Sequence, residues 1–100
     1  MRLWVDDERP MPADFDIHVK TAREAIAQID TGNITAISLD HDLGEGEDTG
    51  YTVACYIEHG AYYGSIGPMK LMVHSANPVG ARNIQLAFQE AQMYWNGPNK

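Results

Sequence analysis

The chain has almost no cysteine. Its single thiol, Cys55, can form no intramolecular disulfide and excludes a zinc site built from cysteines. Set among Val53, Ala54 and Ile57, it reads as a small buried hydrophobe. Basic residues are also scarce: seven Lys and Arg stand against fourteen Asp and Glu, for a formal net charge of −7. They are scattered, so no basic face for duplex DNA is expected. No apolar run approaches a membrane span, and "MRLWVDDERP" has too few apolar residues before its acids for a signal peptide or an anchor. A cytoplasmic protein without a membrane partner is expected. Repeats, low-complexity tracts and linkers are absent too, so residues 1–100 read as one domain of ordinary globular composition.

What is present is an alternation of short apolar runs with helical patterns. "RLWVD" (2–6) reads as a buried strand, followed by the Pro-interrupted loop "ERPMPAD". "DIHVK" (16–20) alternates apolar and polar residues like an edge strand. Thr21 and Glu24 have capping-box spacing, Ala22, Ala25, Ile26 and Ile29 recur at helical intervals, and Gly32 is the stop. "ITAISLD" (34–40) is the expected central strand. A Gly-rich acidic loop, "HDLGEGEDTG", leads into a helix from Tyr51 to His59, and "GAYYGSIGP" reads as a loop. "MKLMVHS" (69–75) is a further strand. Asn77 and Pro78 have N-cap and first-turn chemistry for a helix whose face is Ile84, Ala87, Phe88, Ala91 and Trp95, ending near Gly97. The pattern predicts a small α/β sandwich with a mainly parallel sheet of about four strands.

Open α/β sheets bind ligands at the carboxyl ends of their strands. Three predicted strands end there in chemistry: Asp6, Asp7 and Glu8; Asp40, His41 and Asp42; His74, Ser75 and Asn77. Converging carboxylates repel one another unless a cation joins them. Asp6, Asp7 and Asp40 offer hard oxygen donors suited to Mg²⁺, Mn²⁺ or Ca²⁺, with Asp42 a further candidate, and a histidine ligand would admit Fe²⁺ or Zn²⁺. A divalent cation, Mg²⁺ or Mn²⁺ before others, is the expected cofactor. The helix start at Asn77 favours an anion, and Arg82 lies one turn in, so a phosphorylated ligand is expected. Arg9, beside Glu8, faces either the site or solvent. His18 and His59 read as surface residues, and Glu45, Glu47 and Asp48 as a solvated loop. Trp4, Tyr94 and Trp95 read as packing residues, while Tyr62 and Tyr63 either cover the core or stack on a base.

"LWVDDER", "ISLDHDLG...TGY" and "MVHSAN" resemble, in that order, the acidic pair, phosphoacceptor segment and hydroxyl-bearing strand end of response-regulator receiver domains. The resemblance implies a receiver-like, flavodoxin-like three-layer sandwich, with Asp6 and Asp7 holding Mg²⁺, Asp40 the central carboxylate and Ser75 on a phosphoryl oxygen. Receivers carry a fifth strand with a Lys that pairs with the phosphoryl group. Here that strand is trimmed, and Lys100 is a tail residue. His41, Asp42 and His74, in the string "SLDHDLG...TGY...VHSANPVG", resemble instead the divergent receiver-like family that is predicted to process cyclic phosphates.

That resemblance implies a metal-dependent phosphoesterase acting on a 2′,3′-cyclic nucleotide, an RNA end or a cyclic nucleotide signal. Asp40, His41 and His74 are the expected catalytic residues, His74 before His41 because a strand end holds it. Ser75, Asn77 and Arg82 are the expected phosphate ligands. A phosphoacceptor switch and a non-catalytic module that binds a nucleotide or protein partner are the alternatives.

Overall fold

A computed structural model describes residues 1–97; residues 98–100, Lys100 among them, lie outside the described residues. The elements run β1 (Arg2–Val5), β2 (Ile17–Val19), α1 (Ala22–Ile29), β3 (Ala36–Leu39), α2 (Gly50–Tyr63), β4 (Lys70–Val73) and α3 (Pro78–Asn96). The four strands form one all-parallel sheet in the order β2-β1-β3-β4, the receiver-like α/β arrangement expected from the sequence.

The alternation of side chains along each strand divides the sheet into two unlike faces. Leu3, Val5, Ile37 and Leu39 are fully buried on one face, where residues from all three helices join them in a single core. Trp4 and Ser38, one position out of phase, point to the other face. There the third layer is not helical: the segment between β1 and β2, with Pro10 and Pro12 in it, folds back over the sheet. Phe15 meets Trp4 edge-on with ring centroids 5.2 Å apart, and the Asp16 amide donates to the Arg2 carbonyl at 2.9 Å.

The capping box of Thr21 and Glu24 opens α1 as its spacing requires. By contrast α2 runs four residues past His59, through Gly60 to Tyr63. Gly60 is not a breaker here: a Cβ at that position would collide with the Ile66 side chain, so the glycine lets the following loop pack on the helix. Gly64 ends α2 with φ +78, its amide bonded to the Gly60 carbonyl.

Each strand is shorter than its apolar run suggests, and the polar residues sit just past the ends. Their backbones are nonetheless pinned. The amides of Asp6, Asp40 and His74 donate to the carbonyls of Val19, Val5 and Leu39 at 3.1, 3.0 and 2.9 Å, each extending the ladder by one bond.

Candidate active site

These three extensions bring Asp6 and Asp7 of β1 and Asp40 of β3 to the same end of the sheet. One carboxylate oxygen from each lies within 4.8 Å of the other two. No Lys or Arg pairs with any of the three among the described residues. Two unit charges about 5 Å apart repel by roughly 3 kcal/mol at an effective dielectric near 20. Three hard oxygen donors without a basic counter-ion fit a divalent cation of the Mg²⁺ or Mn²⁺ kind. Asp7 and Asp40 are half-buried, so both remain open to a ligand. Beside Asp7 lies a cleft of 320 Å³ that Glu8, Asp42 and Gly44 also line. Gly44, at φ +109, closes one side: a Cβ there would lie 3.3 Å from Asp7 Oδ2.

Asp6 differs from its two neighbours. It is fully buried, and its carboxylate already accepts three hydrogen bonds: the Glu8 and Arg9 amides reach Oδ1 at 2.8 Å each, and His74 Nε2 reaches Oδ2 at 3.0 Å. Burial opposes the charged form, but the amides of Arg9 and Glu8 together with His74 outweigh it and hold the carboxyl below its ordinary value. About one lone pair remains for a metal or its bound water. Asp6 is therefore the rigid back of the cluster, and Asp7 and Asp40 are its open front.

The same bonds reassign His74, the expected catalytic histidine. An ionised carboxylate only accepts, so Nε2 carries the proton toward Asp6, and Nδ1 accepts from Ser38 Oγ at 2.6 Å. The ring also stacks on Trp4, with centroids 3.6 Å apart and planes 6° from parallel. Burial lowers its pKa below the ordinary histidine value, against the opposing pull of Asp6 and Asp40. With both nitrogens and one face committed, His74, expected to outrank His41 as acid or base, is placed to position Asp6.

His41 has the freer ring. Its Nδ1 lies 3.0 Å from Asp42 Oδ1, and the pairing leaves Nε2 as the unprotonated nitrogen of the neutral ring. The ring rests on the bare backbone of Gly80, where a Cβ would overlap it. Asp42 lies outside the carboxylate cluster, its Oδ1 on His41 and its Oδ2 3.4 Å from Asn77 Nδ2. The Asp40 side chain meets the same segment, its Oδ1 accepting the His41 amide at 2.8 Å.

The expected phosphate ligands divide. Ser75 is half-buried, its Oγ accepting the Asn77 amide at 3.1 Å, which leaves its hydroxyl proton to donate. Asn77 is a helix cap: its Oδ1 accepts from the Gly80 amide at 3.0 Å, and its carbonyl takes the Ala81 amide. Pro78 has no N–H, so among the described residues only the Val79 amide of that first turn is uncommitted, a thinner anion site than the sequence suggests. Arg82 is exposed on α3 and makes no ion pair among the described residues. His18, expected at the surface, donates from Nε2 to the Asp6 carbonyl at 2.8 Å.

Sequence reasoning passed over Ser38, Gly50, Gly80 and the role of Trp4. Gly50 starts α2 directly under β3: its amide donates to the His41 carbonyl at 2.8 Å, and a Cβ would strike the Asp40 carbonyl. The signal for Ser38 is its place as the one polar residue inside the buried run Ala36–Leu39.

The family model of the cyclic-phosphate processing receiver domain matches residues 1–90, a span that takes in the three strand tips and most of α3. No curated protein and no solved structure matches the chain. With nine-tenths of its length matched by that model, the chain belongs to the cyclic-phosphate processing receiver domain family.

Proposed function

We propose that this domain is a metal-dependent phosphoesterase that opens a cyclic phosphate, in a 2′,3′-cyclic nucleotide, an RNA end or a cyclic nucleotide signal. The observation that carries the reading is the neighbourhood of two unlike groups. A cluster of three carboxylates suited to a hard cation includes Asp40, and the next residue along the chain, His41, has its imidazole held at Nδ1 by a carboxylate, with no partner at Nε2 among the described residues.

Asp7 and Asp40 would hold the cation, with Asp6 supporting them from behind. When bound, the cation supplies charge neutralisation at the phosphoryl oxygens. His41 Nε2 accepts a proton from the attacking water as its oxygen bonds to phosphorus, and the bond from phosphorus to one ring oxygen breaks. That oxygen leaves as an alcohol, taking back the proton from His41. Asp42 stabilises the imidazolium that exists between those transfers and keeps the ring in one tautomer. Ser75 Oγ–H and the Val79 amide are available to the phosphoryl oxygens.

The test is phosphorus NMR on the purified protein with 2′,3′-cyclic, 3′,5′-cyclic and cyclic dinucleotide phosphates, with Mg²⁺ or Mn²⁺ and then with chelator. Loss of one cyclic resonance only with metal, abolished by His41→Ala, is the expected result. If every resonance persists with metal present, the phosphoesterase reading fails.

A further inference from the structure

Three carboxylates and one divalent cation leave a net charge of −1, and a cyclic phosphodiester brings another. A site built from those parts alone repels its own substrate. Asp42, Glu8 and Glu45, which line or adjoin the cleft, add to the deficit. A fixed positive group facing the crevice is required on these grounds.

Arg9 meets the requirement. Among the described Lys and Arg residues, it alone has its side chain bonded to a strand tip at the crevice: Nη1 donates to the His74 carbonyl, one residue before Ser75, at 3.2 Å. Its backbone is held at both ends, the amide on Asp6 Oδ1 at 2.8 Å and the carbonyl by Trp4 Nε1 at 3.2 Å. The loop that places Asp7 against Gly44 on one side thus places Arg9 against β4 on the other. The guanidinium is exposed, and with five N–H donors and one of them used it has a free edge for a planar two-point contact. Of the other described cations, Arg2 pairs with Asp16 at the opposite end of β1, Lys70 opens β4 at its amino end, Lys20 follows the edge strand β2, and Arg23 and Arg82 are exposed on helices.

We propose that Arg9 is a phosphoryl-binding residue of this site, taking the non-bridging oxygens of a phosphodiester or phosphate anion beside Ser75. The inference rests on the phosphoesterase reading for the site's substrate class. It goes further in giving this residue the charge that lets an anion enter an acidic crevice. Its bond to His74 also ties the anion subsite to the group that positions Asp6.

The probe is inorganic phosphate, titrated calorimetrically into wild type, Arg9→Gln, Arg9→Lys and Arg23→Gln at saturating Mg²⁺. Mg²⁺ affinity is measured separately without phosphate. Both backbone anchors survive in Arg9→Gln, and a thermal melt checks that it is folded. Phosphate binding is expected to weaken about ten- to one-hundred-fold in Arg9→Gln, less in Arg9→Lys, and not at all in Arg23→Gln. Mg²⁺ should bind Arg9→Gln as tightly as wild type or more tightly, because a cation has been removed from its surroundings; a merely structural role would weaken it. If wild type binds phosphate and Arg9→Gln binds it equally well, the Arg9 subsite is overturned while the phosphoesterase reading stands. If wild type binds no phosphate with Mg²⁺ present, the Arg9 subsite is overturned, and the phosphoesterase reading is decided by the phosphorus NMR alone.

Discussion

The imidazole of His41 lies on the bare backbone of Gly80, so the third residue of α3 decides where the candidate base can sit. Gly80→Ala adds one methyl group to that contact. The intrinsic helix preference for Ala is worth about 1 kcal/mol in favour, and overpacking costs roughly 1–3 kcal/mol against, so the domain stays folded with a modest net loss. The ring must swing out, and turnover of the cyclic phosphate should fall about a hundredfold or more. A Gly80→Ala protein with wild-type turnover and an undisturbed melt would show that the position of His41 is irrelevant to the reaction.

Asp42 was expected to be a metal ligand, and its Oδ1 lies 3.0 Å from His41 Nδ1, outside the group formed by Asp6, Asp7 and Asp40. The two roles separate in Asp42→Asn. An amide can present either its oxygen or its nitrogen to Nδ1, so the tautomer is no longer enforced, and kcat should drop on the order of tenfold to a thousandfold. Mg²⁺ affinity should stay within about threefold of wild type, since an exposed acid outside the cluster contributes little to a bound cation. Loss of Mg²⁺ binding in this variant would return Asp42 to the coordination sphere.

The open carboxylates make the opposite prediction. With metal at one hundred times its Kd, wild type should gain roughly 2.7 kcal/mol, which for a domain of this size raises Tm on the order of 10 to 20 °C. Asp7→Asn should lose most of that rise. In chelator the same variant should melt at or slightly above wild type, because a repulsive partner of Asp6 and Asp40 has been neutralised. A scanning calorimeter decides it: an Asp7→Asn protein that keeps the full metal-induced shift would remove Asp7 from the site.

How much of this was legible in the sequence follows from what kind of signal each residue leaves. The parallel sheet, the capping box of α1 and the convergence of Asp6, Asp7 and Asp40 follow from short-range periodicity and from the rule that strand ends meet, and all appear as expected. The division of labour between the histidines was not legible. It depends on Ser38, thirty-six positions from His74, which looks from its neighbours like an ordinary buried strand residue. Gly60 misleads in the same way, because a glycine kept for close approach reads locally as a breaker. Arg82 sits one turn into α3, exposed and without an ion pair among the described residues.

The non-helical layer over Trp4 gives a prediction in acid. Arg2 and Asp16 tie the end of that segment to the start of β1: the Arg2 amide donates to Asp16 Oδ2 at 2.7 Å, and the Asp16 amide returns a bond to the Arg2 carbonyl at 2.9 Å. The Arg2 amide holds the Asp16 carboxyl below its ordinary value against the opposing effect of desolvation, helped by the charges of Arg2 and the N-terminus. A carboxyl with a depressed folded-state pKa binds fewer protons folded than unfolded, so its stabilisation is present above the unfolded pKa. It is lost as pH falls through the folded value. Unfolding measured in chelator from pH 6 down to 2 should therefore show stability declining below about pH 4, with part of the decline removed in Asp16→Asn. Asp6, also held below its ordinary value, adds a loss of the same sign as pH falls. If Asp16→Asn melts in parallel with wild type across that range, the tie contributes nothing through its charge, and the segment over Trp4 is held by Phe15 and its backbone bonds alone.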